Sequence, residues 1–243
     1  GIEHTEDGFE LLGAGICPVG SDLPVYLPMS IVSMVQDADL WTALVTTCET
    51  LVFNMTFEAL VLARVLKLSV HDLTLVDVRQ YAMVKGDLGG LKPLCVRRLG
   101  VPLWDEVVVS VSAAVKKIIT ALRPTSKLKR AETEALETGG LDGVRAAIAA
   151  AKEKTERLSL LQSGIEYLCT LDCRSETELQ TFLLKDTETE PRDAYYHYAP
   201  LSDLALYCGR DAWATVKLAE YYDTQFTSEL ERKSARDYYQ CHA

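Results

Sequence analysis

The first hundred residues alternate short apolar segments of strand length with segments that have helical periodicity. The strand-like segments are residues 11–18, 24–28, 51–53 and 74–78, and the helix-like segments are residues 37–45, 57–66 and 79–84. Gly89-Gly90 then breaks the chain before residues 91–99. Strands that are joined through helices are typical of a sheet covered by helices. The sequence therefore predicts an α/β fold with a mixed sheet flanked by helices.

The middle of the chain differs, because residues 104–199 carry mainly helical patterns. Helices are predicted over residues 104–122, 127–137 and 141–171. A last amphipathic helix is predicted over residues 201–222. A chain of 243 residues suffices for one substantial domain. We therefore predict a single domain over residues 1–243, with a helical insertion at about 104–199.

The charges are unevenly distributed along the chain. The formal net charge is −10, which argues against a protein that holds nucleic acid by its overall field. Residues 107–130 nevertheless contain no acidic side chain, and their basic residues are Lys116, Lys117, Arg123, Lys127, Lys129 and Arg130. This segment is either a solvated helix face followed by a linker, or an arm that contacts phosphates and binds DNA through Lys127, Lys129 and Arg130.

The seven cysteines are dispersed and form no CxxC pair. Their odd number, and the apolar neighbours of Cys17, Cys48 and Cys95, indicate buried thiols in a reducing, intracellular compartment. A zinc site needs Cys and His in pairs, which the four histidines do not supply. No apolar segment reaches membrane-spanning length and no secretory leader is visible, so we expect no membrane partner.

Three acidic motifs are candidates for chemistry. Tyr207 and Asp211 are four positions apart, so on a helix they lie on the same face. There the carboxylate can bind a metal ion while the phenol holds a water molecule. Glu3, and Glu58 in the segment Asn54-Met-Thr-Phe-Glu58, supply two further carboxylates. For each motif taken alone, an exposed surface or terminal position is the simpler interpretation, since acidic residues are common there.

Taken together and in this order, the motifs resemble the 3′–5′ proofreading exonuclease domain of family A DNA polymerases. This is the DEDDy class of the RNase H-like fold, and phage-type polymerases are the most similar. The resemblance covers nearly the whole chain outside residues 104–199. It rests on Gly1-Ile-Glu3, Val52-Phe-Asn-Met-Thr-Phe-Glu58, Asp77-Val-Arg-Gln-Tyr81, Gly90-Leu-Lys-Pro-Leu-Cys-Val-Arg-Arg-Leu-Gly100, and Tyr207-Cys-Gly-Arg-Asp211 with the residues that follow to Leu218.

The resemblance implies a nuclease that removes nucleotides from single-stranded DNA 3′ ends with two Mg²⁺ or Mn²⁺ ions. The implied residues are Glu3, Glu58 and Asp211 as metal ligands, Tyr207 as the residue that orients the attacking water, and Asn54 and Phe57 beside the 3′-terminal nucleotide. It further implies a DNA polymerase module in the same or another chain. The expected compartment is the cytoplasm of a bacterium or of an infected host.

Two residues depart from the family pattern. Gly1 stands where the family has the Asp that touches both metal ions, and Glu58 stands where it has a second Asp. The missing Asp is expected to weaken the binding of both metal ions, whereas Glu58, which is one methylene longer than Asp, can still reach the second ion directly or through water. Three hypotheses follow: an active DNA exonuclease, a degenerate exonuclease-like module that binds DNA or a replication partner, and an exonuclease that acts on RNA. Retention of Tyr207 favours an enzyme.

Overall fold

The computed structural model of this protein describes residues 2–5, 8–28, 30–122, 134, 137–140, 142–143, 166, 168–170, 182, 185–186 and 194–237. These residues form a mixed α/β structure that is mostly helical, which confirms the predicted α/β class. They divide into two compact units, Gly1–Leu12 with Asp105–Leu204 and Gly13–Trp104 with Ala205–Ala243. Within these ranges, no helix is long and apolar enough to cross a membrane.

Strands and helices follow one another much as the sequence patterns predict. The strands are β1 (Ile2–Thr5), β2 (Gly8–Leu11), β3 (Gly13–Ile16), β4 (Val25–Pro28), β5 (Thr50–Val52) and β6 (Leu75–Asp77). The helices are α1 (Ile31–Gln36), α2 (Ala38–Thr47), α3 (Met55–Leu66), α4 (Val78–Val84), α5 (Leu91–Leu99), α6 (Glu106–Leu122), α7 (Leu201–Gln225) and α8 (Glu229–Asp237). The helices predicted over 127–137 and 141–171 lie largely outside the described residues.

The strands pair as three two-stranded ladders. β1–β2 and β3–β4 are antiparallel hairpins, whereas β5 and β6 are parallel and are connected through α3. Among the described residues the ladders share no strand, so the single mixed sheet that was predicted is not formed there. The strands are only three or four residues long, so each ladder contributes few backbone hydrogen bonds. The helices therefore supply most of the buried packing.

The second unit is built around one buried cluster to which α4, α5, α7 and α8 contribute. Its buried members are Val76, Val78, Tyr81, Ala82, Leu94, Cys95, Trp104, Ala214, Leu218, Ala219, Tyr222 and Ala235. On α7, the buried residues Ala214, Leu218 and Tyr222 are four positions apart and lie on one face of the helix. This spacing is the apolar periodicity from which the sequence predicted a helix here.

Asp87, in the loop between α4 and α5, connects two helices of this core. Its buried carboxylate accepts hydrogen bonds from the Arg98 guanidinium, with Nε at 2.7 Å, and from the Tyr222 hydroxyl, also at 2.7 Å. The Arg98 hydrogen bonds hold the pKa of Asp87 below its ordinary value, and the Tyr222 hydrogen bond acts in the same direction. α5 is thereby joined to α7 through one carboxylate.

Tyr222→Phe is expected to lower the free energy of unfolding by about 1.5–3 kcal/mol, because a hydrogen bond to a buried charge is lost. The pKa of Asp87 is lowered by folding, so its stabilising contribution is present above about pH 4 and is lost as the pH falls through the folded pKa. The difference between the two proteins should therefore shrink in acid. Urea denaturation at pH 7 and at pH 3 measures both effects. Tyr221→Phe is the control, and equal losses from Tyr221→Phe and Tyr222→Phe would contradict the prediction.

The first unit contains a buried polar cluster that the sequence did not indicate. Asp186 accepts a hydrogen bond from the Tyr198 hydroxyl at 2.9 Å and lies 2.9 Å from His197 Nε2. All three side chains are almost completely buried. The backbone N–H of Tyr195 also donates to the Ser112 hydroxyl of α6 at 2.9 Å. The Tyr195–Ser112 hydrogen bond fastens the segment before α7 to α6.

Candidate functional site

The carboxylate of Asp77 fixes the start of α3. Asp77 ends β6, is 4% exposed, and accepts hydrogen bonds from the backbone N–H groups of Asn54 and Met55, both at 3.1 Å. It also accepts one from the N–H of Arg79 at 2.9 Å and so caps α4. Asn54 has a φ of 78°, a left-handed conformation that Asn tolerates better than most residues. Asp77 therefore fixes the backbone position of the Asn54–Glu58 segment where it follows β5.

Glu58 lies in the first turn of α3 and is partly buried. Burial raises the pKa of Glu58 above its ordinary value, and the negative charge of Asp211 raises it further. The influence of Asp211 means that this residue, although far from Glu58 in sequence, lies near enough within the second unit for its charge to act on Glu58. A cation between them would relieve this repulsion.

Asp211 lies on α7, one turn after Tyr207, so the two side chains occupy the same helix face. The indole N–H of Trp104 donates a hydrogen bond to Asp211 Oδ1 at 2.8 Å. Lys92 Nζ, on α5, lies 3.6 Å from the same oxygen. Burial raises the pKa of Asp211, while Lys92 and the Trp104 hydrogen bond oppose that rise.

Lys92 connects the aromatic and acidic residues of this face. Its Nζ lies 4.5 Å from the centroid of the Tyr207 ring and 5.8 Å from that of a Trp104 ring. Both distances are within the range of cation–π attraction. We call the set Glu58, Lys92, Trp104, Tyr207 and Asp211 the carboxylate site.

Gly15 allows α7 to approach the β3–β4 hairpin closely beside the carboxylate site. A Cβ atom at Gly15 of β3 would lie 2.7 Å from the carbonyl carbon of Cys208 and 3.3 Å from the nitrogen of Gly209. A Cβ atom at Gly209 would lie 3.5 Å from Cγ of Pro24, an ordinary contact. Gly15 is thus required for the position of the helix turn between Tyr207 and Asp211.

The predicted site residues are distributed over both units. Glu58, Tyr207 and Asp211 belong to the second unit, in which Asp211 acts on Glu58 and Lys92 contacts both Asp211 and Tyr207. Asn54 is exposed and Phe57 is half-buried in the first turn of α3. Glu3 lies in β1 of the first unit, opposite Glu10, and only its backbone is described. The proposed DNA-binding residues Lys127, Lys129 and Arg130, and also Gly1, lie outside the described residues.

Sequence reasoning missed two partners of Asp211. The sequence predicts a helix that begins at Trp104, whereas α6 begins at Glu106 and Trp104 precedes it. Lys92 lies in the Gly90-Leu-Lys segment, and its spacing gives no sign of a contact with α7. The one available signal was that both lie in segments flanked by apolar residues that must pack against the core.

The donor set of the carboxylate site suits a single hard cation. Carboxylate oxygens are the ligands that Mg²⁺ and Mn²⁺ prefer, and Glu58 and Asp211 supply them. Burial disfavours the charged forms of both carboxylates, and the charge of Asp211 further disfavours that of Glu58; a bound cation would favour both charged forms. Over the part of the chain that the structure describes, no group of three or more His, Cys, Asp or Glu side chains is arranged to hold a metal ion.

Comparisons with known proteins give no relative: no protein-family model, no curated protein and no solved structure matches this chain. The carboxylate site must therefore be interpreted from its own geometry and chemistry.

Proposed function

We propose that this protein is a metal-dependent 3′–5′ exonuclease of RNase H-like fold that hydrolyses nucleotides from DNA 3′ ends, in the manner of a proofreading domain. The observation that carries the proposal is the pairing of Tyr207 and Asp211 on one face of α7, with Asp211 acting on Glu58 of α3. A phenol one helix turn from a carboxylate, whose charge acts on a second carboxylate, supplies groups that metal-dependent phosphodiester cleavage uses.

Each residue of the carboxylate site has a role in this proposal. Divalent ions, when bound, supply an activated water and neutralise charge on the departing 3′ oxygen. Glu58 and Asp211 of the second unit would hold such an ion, and Glu3 is assigned as a further ligand by the family resemblance alone. The Tyr207 hydroxyl would orient the attacking water by a hydrogen bond. Trp104 holds Asp211 Oδ1 in a fixed direction, which favours a single carboxylate geometry.

The nucleic acid would be held by residues around this site. Asn54 is exposed at the start of α3 and can form hydrogen bonds with the 3′-terminal nucleotide. Phe57, one turn along, offers a ring surface for base stacking. Lys127, Lys129 and Arg130 are proposed to contact the DNA backbone, and a polymerase module in the same or another chain would deliver the 3′ end.

A second candidate function is a degenerate exonuclease-like module that binds DNA or a replication partner without cleaving. Two features favour it. Gly1 has no side chain to serve as a metal ligand, and Asp211 is already paired with Lys92. Tyr207 beside Asp211 favours the enzyme through its hydroxyl, which can orient a water molecule, whereas the ring alone suffices for core packing and for the Lys92 contact.

Digestion of a 5′-labelled single-stranded DNA with Mg²⁺ or Mn²⁺ tests the proposal. We expect stepwise shortening from the 3′ end that slows by more than about tenfold in Asp211→Asn, equivalent to at least 1.4 kcal/mol of barrier. Asp203→Asn, on the first turn of the same helix, is the matched control and should cleave like the wild type.

The other hypotheses predict different results in the same assay. Cleavage that appears only after Gly1→Asp would indicate an intact fold whose site lacks one metal ligand. Preferential shortening of a matched RNA would favour an RNA exonuclease. Binding of the DNA without cleavage by any variant, Gly1→Asp included, would replace the enzyme with the binding module.

A further inference from the structure

We propose that Lys92 is a built-in counter-ion of the carboxylate site, which neutralises Asp211 in the metal-free protein and competes with a divalent ion for it. The proposal deepens the proposed function, because it concerns the same Glu58 and Asp211 carboxylates. Its basis is the position of one ammonium group relative to a carboxylate and two aromatic rings.

The contact between Lys92 and Asp211 is an ion pair without a close hydrogen bond. The Nζ–Oδ1 distance is 3.6 Å, whereas hydrogen bonds from nitrogen to oxygen are ordinarily 2.7–3.2 Å long. The same Oδ1 already accepts the Trp104 N–H at 2.8 Å. Lys92 therefore supplies charge to Asp211 while the directional hydrogen bond comes from elsewhere, and its displacement would leave Asp211 oriented.

The aromatic rings of Tyr207 and Trp104 provide an alternative binding position for the ammonium group of Lys92. Lys92 Nζ lies closer to the Tyr207 ring centroid, at 4.5 Å, than to the Trp104 ring centroid, at 5.8 Å. The lysine side chain is 18% exposed and sits beside both ring faces. If a cation takes its place at Asp211, the ammonium group retains cation–π contacts and an exit toward solvent.

The net charge of the carboxylate site determines how strongly the competition from Lys92 lowers the affinity for a divalent ion. Glu58 and Asp211 together carry two negative charges when ionised, and Lys92 reduces the net charge to −1. The affinity of oxygen-ligand sites for divalent cations depends on how many ligand charges surround the ion. With Glu58 and Asp211 as the ligands, the positive charge of Lys92 should keep divalent binding weak and reversible.

Mn²⁺ binding, measured without nucleic acid through the electron paramagnetic resonance signal of free Mn²⁺, tests the proposal. Lys92→Met should bind Mn²⁺ about tenfold more tightly than the wild type or better, because a unit positive charge beside the ligands is removed. Lys92→Met combined with Asp211→Asn should lose this gain. Lys92→Arg, which keeps the charge, should bind like the wild type.

Lys85→Met is the matched control, because the Lys85 side chain is equally exposed at 18% and is paired with Glu231 outside the carboxylate site. It should leave Mn²⁺ affinity unchanged. Unchanged or weaker binding by Lys92→Met would overturn the proposal. If Lys92→Met does not fold, Lys92→Gln removes the same charge with a polar side chain. Tighter Mn²⁺ binding by Lys92→Gln would then support the proposal, and unchanged or weaker binding would overturn it.

The failures of the two proposals are distinguishable. Tighter Mn²⁺ binding by Lys92→Met in a protein that cleaves no nucleic acid would reject the exonuclease and retain the counter-ion. Cleavage that depends on Asp211, without any gain of Mn²⁺ affinity in Lys92→Met, would reject the counter-ion and retain the exonuclease.

Discussion

Asp77→Ala is expected to lower the free energy of unfolding by about 3–5 kcal/mol, because one carboxylate serves three backbone N–H groups. Its loss removes the cap of α4 and the two hydrogen bonds that begin α3. The side chain is 4% exposed, so water has little access to replace these bonds. The left-handed backbone of Asn54 would also lose the bond that stabilises it. Urea denaturation at neutral pH measures the change.

Asp72→Ala provides the control for this prediction. Asp72 also accepts a backbone hydrogen bond, from the N–H of Ser69 at 3.3 Å, but it is exposed at a short turn. Exposed caps contribute about 0.5–2 kcal/mol. A loss from Asp77→Ala no greater than the loss from Asp72→Ala would show that water or local rearrangement satisfies the three N–H groups. Because Asp77 fixes the start of α3, which carries Glu58, Asp77→Ala should lower the affinity for Mn²⁺ as well as the free energy of unfolding.

The elements of the second unit were predictable because local patterns determine them. The apolar spacing that ends in Ala214, Leu218 and Tyr222 predicts α7 from sequence alone, and the short runs at β5 and β6 predict strands. The pairing of these strands could not be predicted from local patterns. Whether short strands join one sheet depends on long-range packing, and in the described residues they remain separate ladders. The RNase H-like arrangement therefore stays a prediction.

The candidate site was predictable only to the extent that helix geometry determines it. Spacing by four placed Tyr207 and Asp211 on one face, and the structure has them there. Trp104, in contrast, is 107 positions from Asp211, and no local pattern indicates that its N–H reaches that carboxylate. The contact of Lys92 with Asp211 was equally unpredictable, because an ion pair between two helices depends on how the helices pack. The two-metal site and the DNA contacts likewise stay predictions.

Gly15→Ala is expected to lower the free energy of unfolding by about 3 kcal/mol or more, which is at the upper end for overpacking a core. The added Cβ would lie 2.7 Å from the backbone carbonyl carbon of Cys208, and it would come closer still to the carbonyl oxygen. Backbone cannot rotate aside as a flexible side chain can, so β3 and α7 must separate. Chemical denaturation measures the loss.

Gly139→Ala is the control, since a Cβ there meets nothing within 4 Å and alanine is favoured in helices. It should be neutral or slightly stabilising, and a Gly15→Ala protein as stable as this control would contradict the close approach of β3 to α7. The displaced turn contains Cys208 and Gly209, between Tyr207 and Asp211. Protein that remains folded should therefore also show weaker Mn²⁺ binding, because Asp211 would move relative to Glu58 while both side chains stay intact.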